Sequence, residues 1–383
     1  MATVRWLRTV LAGVLVLALP AGCDAARTPA QPALSRCAAR IAVFGPLSGT
    51  SANLGRNQSQ GVRLAVEQYN AAHQSCTVDL VEFDSQGDPK QAPALAQQLV
   101  ADPRILGVVG PAFSGESQAA DPLLEQGGVV TITPSATQTS LSAQGWRTFH
   151  RILGNDAAQG PAAGRYIEKV LHAAKVFVID DASAYGRGLA EQVVEGLGTR
   201  VVQSATVLPR QTDFLGVATQ VRSTGADTVF YGGYYDEAGA LLRQIRRAGV
   251  TATFVAGDGT KDEGFLRQAG AAAAEGAVIT CACRPPETAS GRFGVEYQAR
   301  FGQPPGTNSA ESYDAATVLL TGIRAGHTSR AALLRYVSDY TGTGVTGAIA
   351  FTSTGELIDS AVTVWAYRVR AGAIVADQPI PAG

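Results

Sequence analysis

Short apolar runs and helix-length amphipathic stretches alternate along almost the whole chain. Arg40 to Pro46, RIAVFGP, reads as a strand, and Gly55 to Ala72 follows it with Val62, Leu64, Ala65, Val66 and Tyr69 at roughly helical spacing. The pair recurs as strand TVDLVEFDS with helix DPKQAPALAQQLVAD, then strand ILGVVGP with a helix near ESQAADPLLEQ, then strand GVVTITP and a loop, PSATQTSLSAQGW. A second series begins after Gly154. It runs helix GPAAGRYIEKVL, strand KVFVIDD, helix GRGLAEQVVEGL, strand RVVQSATV, helix DFLGVATQVRSTG, strand TVFYGG, helix DEAGALLRQIRRAG and strand TFVAGDG. Alternation of this kind predicts parallel sheets with helices on both faces. Two successive series predict an α/β protein of two doubly wound parallel-sheet lobes. Ligands bind such sheets in the crevice outside the carboxyl ends of the strands. The polar, glycine-rich turns GPLSGTSANLG, GPAFSGES, TPSAT, YGGYYDE and AGDGT all fall there, which predicts one ligand cleft between the lobes.

The first 23 residues break the pattern. Arg5 and Arg8 precede an apolar core, Val10 to Pro20, that is too short to span a bilayer comfortably. LPAGC then ends at Cys23, and the whole resembles a bacterial lipoprotein signal, residues 1–22, cleaved before a cysteine that receives lipid. Pro20 stands where that pattern prefers an aliphatic residue; an ordinary secretory signal with an incidental cysteine is the alternative. DAARTPAQPALS, within residues 23–37, has the composition of a flexible tether. No later stretch holds an 18-residue apolar run, so the body is expected outside the membrane, tethered to the outer face of the cytoplasmic membrane.

Composition adds little but excludes something. With 383 residues and 46% apolar content there is enough chain for two domains. A formal net charge of −1 offers no footprint for nucleic acid. If Cys23 is lipidated, Cys37, Cys76, Cys281 and Cys283 remain, and an even number in an exported chain suggests two disulfides. Cys37 and Cys76 each precede a predicted strand, and Cys281 and Cys283 form a C-x-C, so the preferred pairing is 37–76 with 281–283; two other pairings stay open. A single C-x-C beside the scattered His73, His150, His172 and His327 is a weak zinc signal. No metal or cofactor is expected.

Ser114, in GPAFSGESQ, is the residue that asks for chemistry. It lacks the G-x-S-x-G context of a hydrolase nucleophile, and His150 in TFHRIL has no recognisable partner pattern. Neither AGDGTKDEG nor YGRGLAE completes a dinucleotide fingerprint. The carboxylates Asp236, Glu237, Asp258, Asp262 and Glu263 sit at helix starts, where solvated caps are the default reading for most of them. A ligand cradle fits better. Ser114 offers a hydroxyl, Gly115 permits close backbone approach, and the helix beginning there points free N–H groups at the cleft. TPSAT is a second such turn. Tyr234 and Asp258 end two strands of the other lobe, where an acid can meet an ammonium group. A carboxylate site facing an ammonium site describes an amino acid.

Taken in order, IAVFGPLSGTSANLGRNQSQGVRLAVEQYNA, DPKQAPALAQQLV, GPAFSGES, TPSATQTSL, YGRGLA, TVFYGGYYDEAGALLRQIRRAG and EGAVIT resemble the substrate-binding proteins of branched-chain amino-acid ABC importers, from about Arg40 to Tyr367. The resemblance implies a type I periplasmic binding fold that closes on a small molecule like a flytrap, with a membrane permease as partner and no catalysis. It implies lobes at 38–154 with 284–361 and at 155–283 with 362–383, acting as a monomer. It places Ser114 against the ligand carboxylate, Ala136 and Thr137 around carboxylate and ammonium, and Tyr185, Tyr234 and Asp258 on the far lobe, with Asp258 where an acid takes the ammonium. Leu54 and Asn308 fall where apolar aromatic residues contact the side chain, with Glu311 nearby. A buried Asn308 needs a partner, so the pocket suits a polar side chain better than leucine; a solvated loop residue is the plain alternative. Cys281 and Cys283 fall where the chain crosses between lobes, at a hinge or a strand end. A sensor for an amide or other polar or aromatic metabolite, signalling to a partner instead of a transporter, is the alternative function; a hydrolase is a more remote one.

Overall fold

The computed structural model describes residues 38–381. Cys23, Cys37 and the leader lie outside the described residues. Five strands, β1 (Arg40–Gly45), β2 (Asp79–Asp84), β3 (Ile105–Val109), β4 (Val130–Thr133) and β5 (Phe149–Arg151), form an all-parallel sheet in the order β2-β1-β3-β4-β5. Successive side chains of a strand face opposite ways, and β1 shows the result. Ile41 and Val43 enter a core shared with Val62 and Ala65 of helix Ala52–Ala72 and Leu319 of helix Ser309–Arg324. Ala42 and Phe44 enter another, with Ala96 and Leu99 of helix Ala92–Ala101 and Leu124 of helix Ser114–Gln126. Both faces are covered, which is why these strands read as apolar runs rather than alternating ones.

The second sheet is built the same way from β6 (Val176–Asp180), β7 (Val201–Thr206), β8 (Thr228–Gly232), β9 (Thr253–Ala256) and β10 (Val278–Cys281). After a small hairpin, β11 (Thr341–Thr343) with β12 (Ala348–Ala350), the chain returns to it as β13 (Val364–Arg370) and β14 (Ala373–Ile380). The order is β14-β13-β10-β9-β8-β6-β7, and β13 runs antiparallel to both its neighbours. The expectation of purely parallel sheets is corrected at this edge. Segment 139–144 of the expected loop is a short 3-10 helix, and the first helix starts at Ala52, three residues before Gly55.

Three segments link the sheets: one after β5, one after β10 and one before β13. They meet at Gly154, where a Cβ would lie 2.7 Å from Val362 Cγ1 and 3.2 Å from Ala282 Cβ. Cys281 and Cys283 close a disulfide at this crossing, with Cα atoms 5.0 Å apart. Cys76 is disulfide-bonded as well. Its expected partner, Cys37, lies outside the described residues. No described helix is long and apolar enough to cross a membrane.

Helix 52–72 and helix 309–324 pack with almost no gap at Gly61, whose Cβ, if present, would sit 2.1 Å from the Ser309 carbonyl oxygen. Gly61→Ala therefore forces the helices apart, and chemical denaturation is expected to show a loss of about 1–3 kcal/mol. An unchanged unfolding midpoint contradicts this contact.

Candidate functional site

The loops at the carboxyl ends of the strands converge between the two sheets. From the first come Leu54, Gln58, Phe113 and Ser135, with Asn308 ahead of helix 309–324; from the second come Tyr185, Tyr234, Asp258 and Gly259. These nine residues line one small cavity of about 10 Å³, room for about one water. The two sides are in contact. Phe113 stacks on Tyr234 with ring centroids 4.2 Å apart, and Tyr185 lies 5.1 Å from Tyr234. Tyr235 donates its hydroxyl proton to the Thr50 carbonyl (2.7 Å), Asn53 donates to Asp262 (2.9 Å), Thr307 donates to the Lys261 carbonyl (2.6 Å), and Ser51 donates to Asp236.

Asp258 carries the charge of the site. It follows β9 in a short 3-10 turn and is buried, accepting from Gln159 Nε2 (2.8 Å) and from the Tyr185 hydroxyl (2.9 Å). Tyr185 in turn accepts the Gly259 N–H at 3.0 Å, which orients its proton toward Asp258. Burial raises the Asp258 pKa, while the Gln159 and Tyr185 bonds and the Lys261 charge pull the other way. Burial also raises both Tyr185 and Tyr234 well above the usual phenol value, with the Asp258 charge adding to it, so both phenols stay protonated donors.

Ser114, Ala136 and Thr137 are buried and do not line the cavity, although their chain neighbours Phe113 and Ser135 do. Ser114 opens its helix, and its hydroxyl accepts the Gln138 N–H at 3.3 Å. The helix start is not wholly free for a ligand, because Glu116 folds back to accept the Phe113 N–H (2.9 Å) and the Ser85 hydroxyl. Burial pushes Glu116 up to about 7 against these bonds. Gly115 faces Pro89 and Ala184 instead of the cavity. The Ala136 carbonyl accepts from Arg151 Nη1 at 2.6 Å. Thr137 Oγ1 and both Asp156 oxygens are buried without a hydrogen bond of good geometry. Burial lifts Asp156 to about 7, although the nearby Thr137 hydroxyl draws it down.

Leu54, Tyr185, Tyr234, Asp258 and Asn308 are thus brought to one cavity. Asn308 is no solvated loop residue: it is 4% exposed, in the left-handed conformation (φ 60°), and its Nδ2 has no hydrogen-bond partner. Glu311 is buried too, as is Lys261 on the other lobe; burial lowers the lysine and raises the glutamate, and each charge opposes the other's shift. The Lys261 ammonium lies 4.1 Å from the Tyr367 ring centroid. Of the five carboxylates only Glu263 is a solvated helix-start residue; Asp258 is buried at the cavity, and Asp262 caps the Gly264 N–H but is buried too. Glu237 accepts the Arg210 N–H (2.6 Å), and Asp236 and Asp262 accept from Ser51 and Asn53 across the cleft. His150 sits apart, against Ser338 and Phe351, with burial lowering its pKa to about 4, so no Ser114–His150 pair forms. Among the described residues no group of side chains is placed to hold a metal.

Sequence reasoning missed Gln58, Phe113, Ser135 and Gln159. Gln58 was within reach, being four residues after Leu54 and so on the same helix face. Gln159, on helix Asp156–Lys169, carried no local signal.

A sequence model of the periplasmic binding protein family matches residues 38–373. The chain belongs to this family. Among its relatives is the leucine-, isoleucine-, valine-, threonine- and alanine-binding protein of Pseudomonas aeruginosa, 31% identical over 335 residues, which are 86% of this chain and 89% of that protein. The Leu/Ile/Val-binding protein of Escherichia coli is 34% identical over 246 residues, 63% of this chain and 66% of that one. Among solved structures, the branched-chain amino acid transporter substrate-binding protein LivJ of Streptococcus pneumoniae, in complex with isoleucine, superposes with a TM-score of 0.82 at 27% identity, covering 89% of this chain and 99% of that one. The leucine-binding protein LivK of Thermotoga maritima gives 0.81 at 27% identity, covering 89% and 98%.

Proposed function

We propose that this periplasmic binding protein is the extracytoplasmic solute-binding component of an ABC importer, and that it holds an α-amino acid between its lobes. The carrying observation is the buried Asp258 carboxylate, held by Tyr185 and Gln159 at a cavity walled on the far side by Leu54, Phe113 and Ser135. Asp258 takes the ammonium group. Ser114 and Thr137 turn their hydroxyls to the carboxylate, with the Ala136 backbone completing the cradle; Gly115, which faces Pro89 and Ala184, takes no part in it. Tyr234 closes over the ligand. A cavity this small admits an amino acid only when the lobes separate, so binding is hinge closure about the segments meeting at Gly154, with Cys281–Cys283 stiffening one of them. The ligand shifts the balance by its extra contacts in the closed form. In the same reading the lobes are 38–154 with 284–361 and 155–283 with 362–383, the protein is a monomer, and lipid on Cys23 holds it at the outer face of the membrane beside its permease. The names of the relatives make branched-chain amino acids the first ligands to try.

The test is calorimetric titration with single amino acids after unfolding and refolding the protein to strip carried-over ligand. Ser114→Ala is expected to weaken binding by about 1–3 kcal/mol while the protein stays folded. No binding of any amino acid by the wild type refutes the reading, and unchanged affinity in Ser114→Ala removes the serine from the cradle.

A further inference from the structure

We infer that Asn308 selects an amino acid whose side chain carries an uncharged hydrogen-bond acceptor, a hydroxyl or a carboxamide, over its aliphatic isostere. This rests on the amino-acid reading above and narrows it. With the ammonium at Asp258, most of the remaining wall is either apolar or already paired. Leu54 and the rings of Phe113 and Tyr234 suit methyl and methylene groups, Gln58 donates to Ser135 at 2.8 Å, and Tyr185 donates to Asp258. Asn308 presents a buried amide whose Nδ2 has no partner. A left-handed backbone explains why asparagine stands there in preference to most residues, but glycine meets that need as well. It does not explain an amide lodged in the cavity, since burying an unpaired N–H donor is unfavourable.

The backbone that carries the amide is held in place. The Asn308 main-chain carbonyl accepts the Ser312 hydroxyl at 2.7 Å, and the preceding Thr307 is tied to the Lys261 carbonyl of the other lobe. A buried donor at the wall rejects a ligand that cannot accept from it, because the donor is then sealed in unpaired. The same wall argues for a neutral side chain. Asp258, in the same cavity wall, repels a side-chain carboxylate, and a protonated basic side chain has no acceptor to offer the amide.

Two isosteric pairs test this on the refolded wild type: threonine against valine, and asparagine against leucine. Within at least one pair the polar member is expected to bind about tenfold or more tightly. Asn308→Gly keeps the left-handed backbone and deletes the amide, so the ratio falls toward one while the melting temperature reports that the fold persists. Valine and leucine binding as tightly as their polar isosteres overturns the inference and leaves the importer reading standing. A polar preference that survives in Asn308→Gly overturns the role of Asn308. Binding of none of the four, with other amino acids also silent, overturns both readings.

Discussion

Replacing Arg151 with alanine is expected to destabilise the protein by about 3–5 kcal/mol. The side chain is 0% exposed, at the end of β5. Its Nε and Nη2 donate to both oxygens of Glu356, and Nη1 donates to the carbonyls of Ala136 (2.6 Å) and Gln138 (3.1 Å). Alanine leaves a carboxylate and two carbonyls without this donor, and unpaired buried groups cost more than the pair contributes when intact. Lysine is no remedy, since it lacks the planar fork. Burial pushes Glu356 up, but the Arg151 bond and charge, with hydrogen bonds from Ser142 and Asn155, together hold the carboxyl below its ordinary value. The stability from a lowered carboxyl is present above its unfolded pKa of about 4.3 and is lost as pH falls through the folded value. The penalty of Arg151→Ala therefore shrinks in acid. Urea unfolding at neutral and acid pH measures it; a loss under about 1 kcal/mol at neutral pH contradicts the buried pair. The turn that Arg151 braces, Ala136 to Gln138, is one wall of the proposed cradle, so ligand affinity falls as well.

Asp258→Asn is expected to weaken binding of α-amino acids by about 2–5 kcal/mol and to leave des-amino analogues untouched. Asparagine keeps the shape and can still accept from Gln159 and Tyr185, so the loss reports charge and not folding. The wild type carries a second signature. Asp258 must be ionised to meet an ammonium, and burial raises its pKa. Affinity thus falls as pH drops through that raised value, because the protonated acid must first lose its proton. Asp156 titrates near 7 in the same region, and its contribution persists in Asp258→Asn, which separates the two. Calorimetry across pH on both proteins gives the comparison; equal losses for amino acids and des-amino analogues remove Asp258 from the ammonium site.

Much of the fold was legible because it is local. The apolar run from Ile41 to Phe44 is buried on both sides and followed by a helix, and such runs announce parallel strands whatever surrounds them. The turns after the strands were legible too, since glycine and small polar residues are needed where the backbone reverses. They led to Ser114, Tyr234 and Asp258 before any geometry was known, and the family resemblance added Ala136, Thr137 and Tyr185. The carboxylates misled for a related reason. A glutamate or aspartate at a helix start looks like a solvated cap, and only the opposing lobe makes Asp236 and Asp262 partners of Ser51 and Asn53.

By itself the sequence determined the alternation of strand and helix, the two series and the polar turns at one end of each, because hydrophobic period and turn chemistry act within a dozen residues. Tertiary structure alone decided that Arg151 meets Glu356 across 205 positions, that Gln159 braces Asp258, that β13 and β14 return antiparallel to the second sheet, and that the Asn308 amide is sealed into the cavity without a partner. These depend on which distant surfaces pack together. The desolvation that gives a buried carboxylate or amide its meaning exists only once they have.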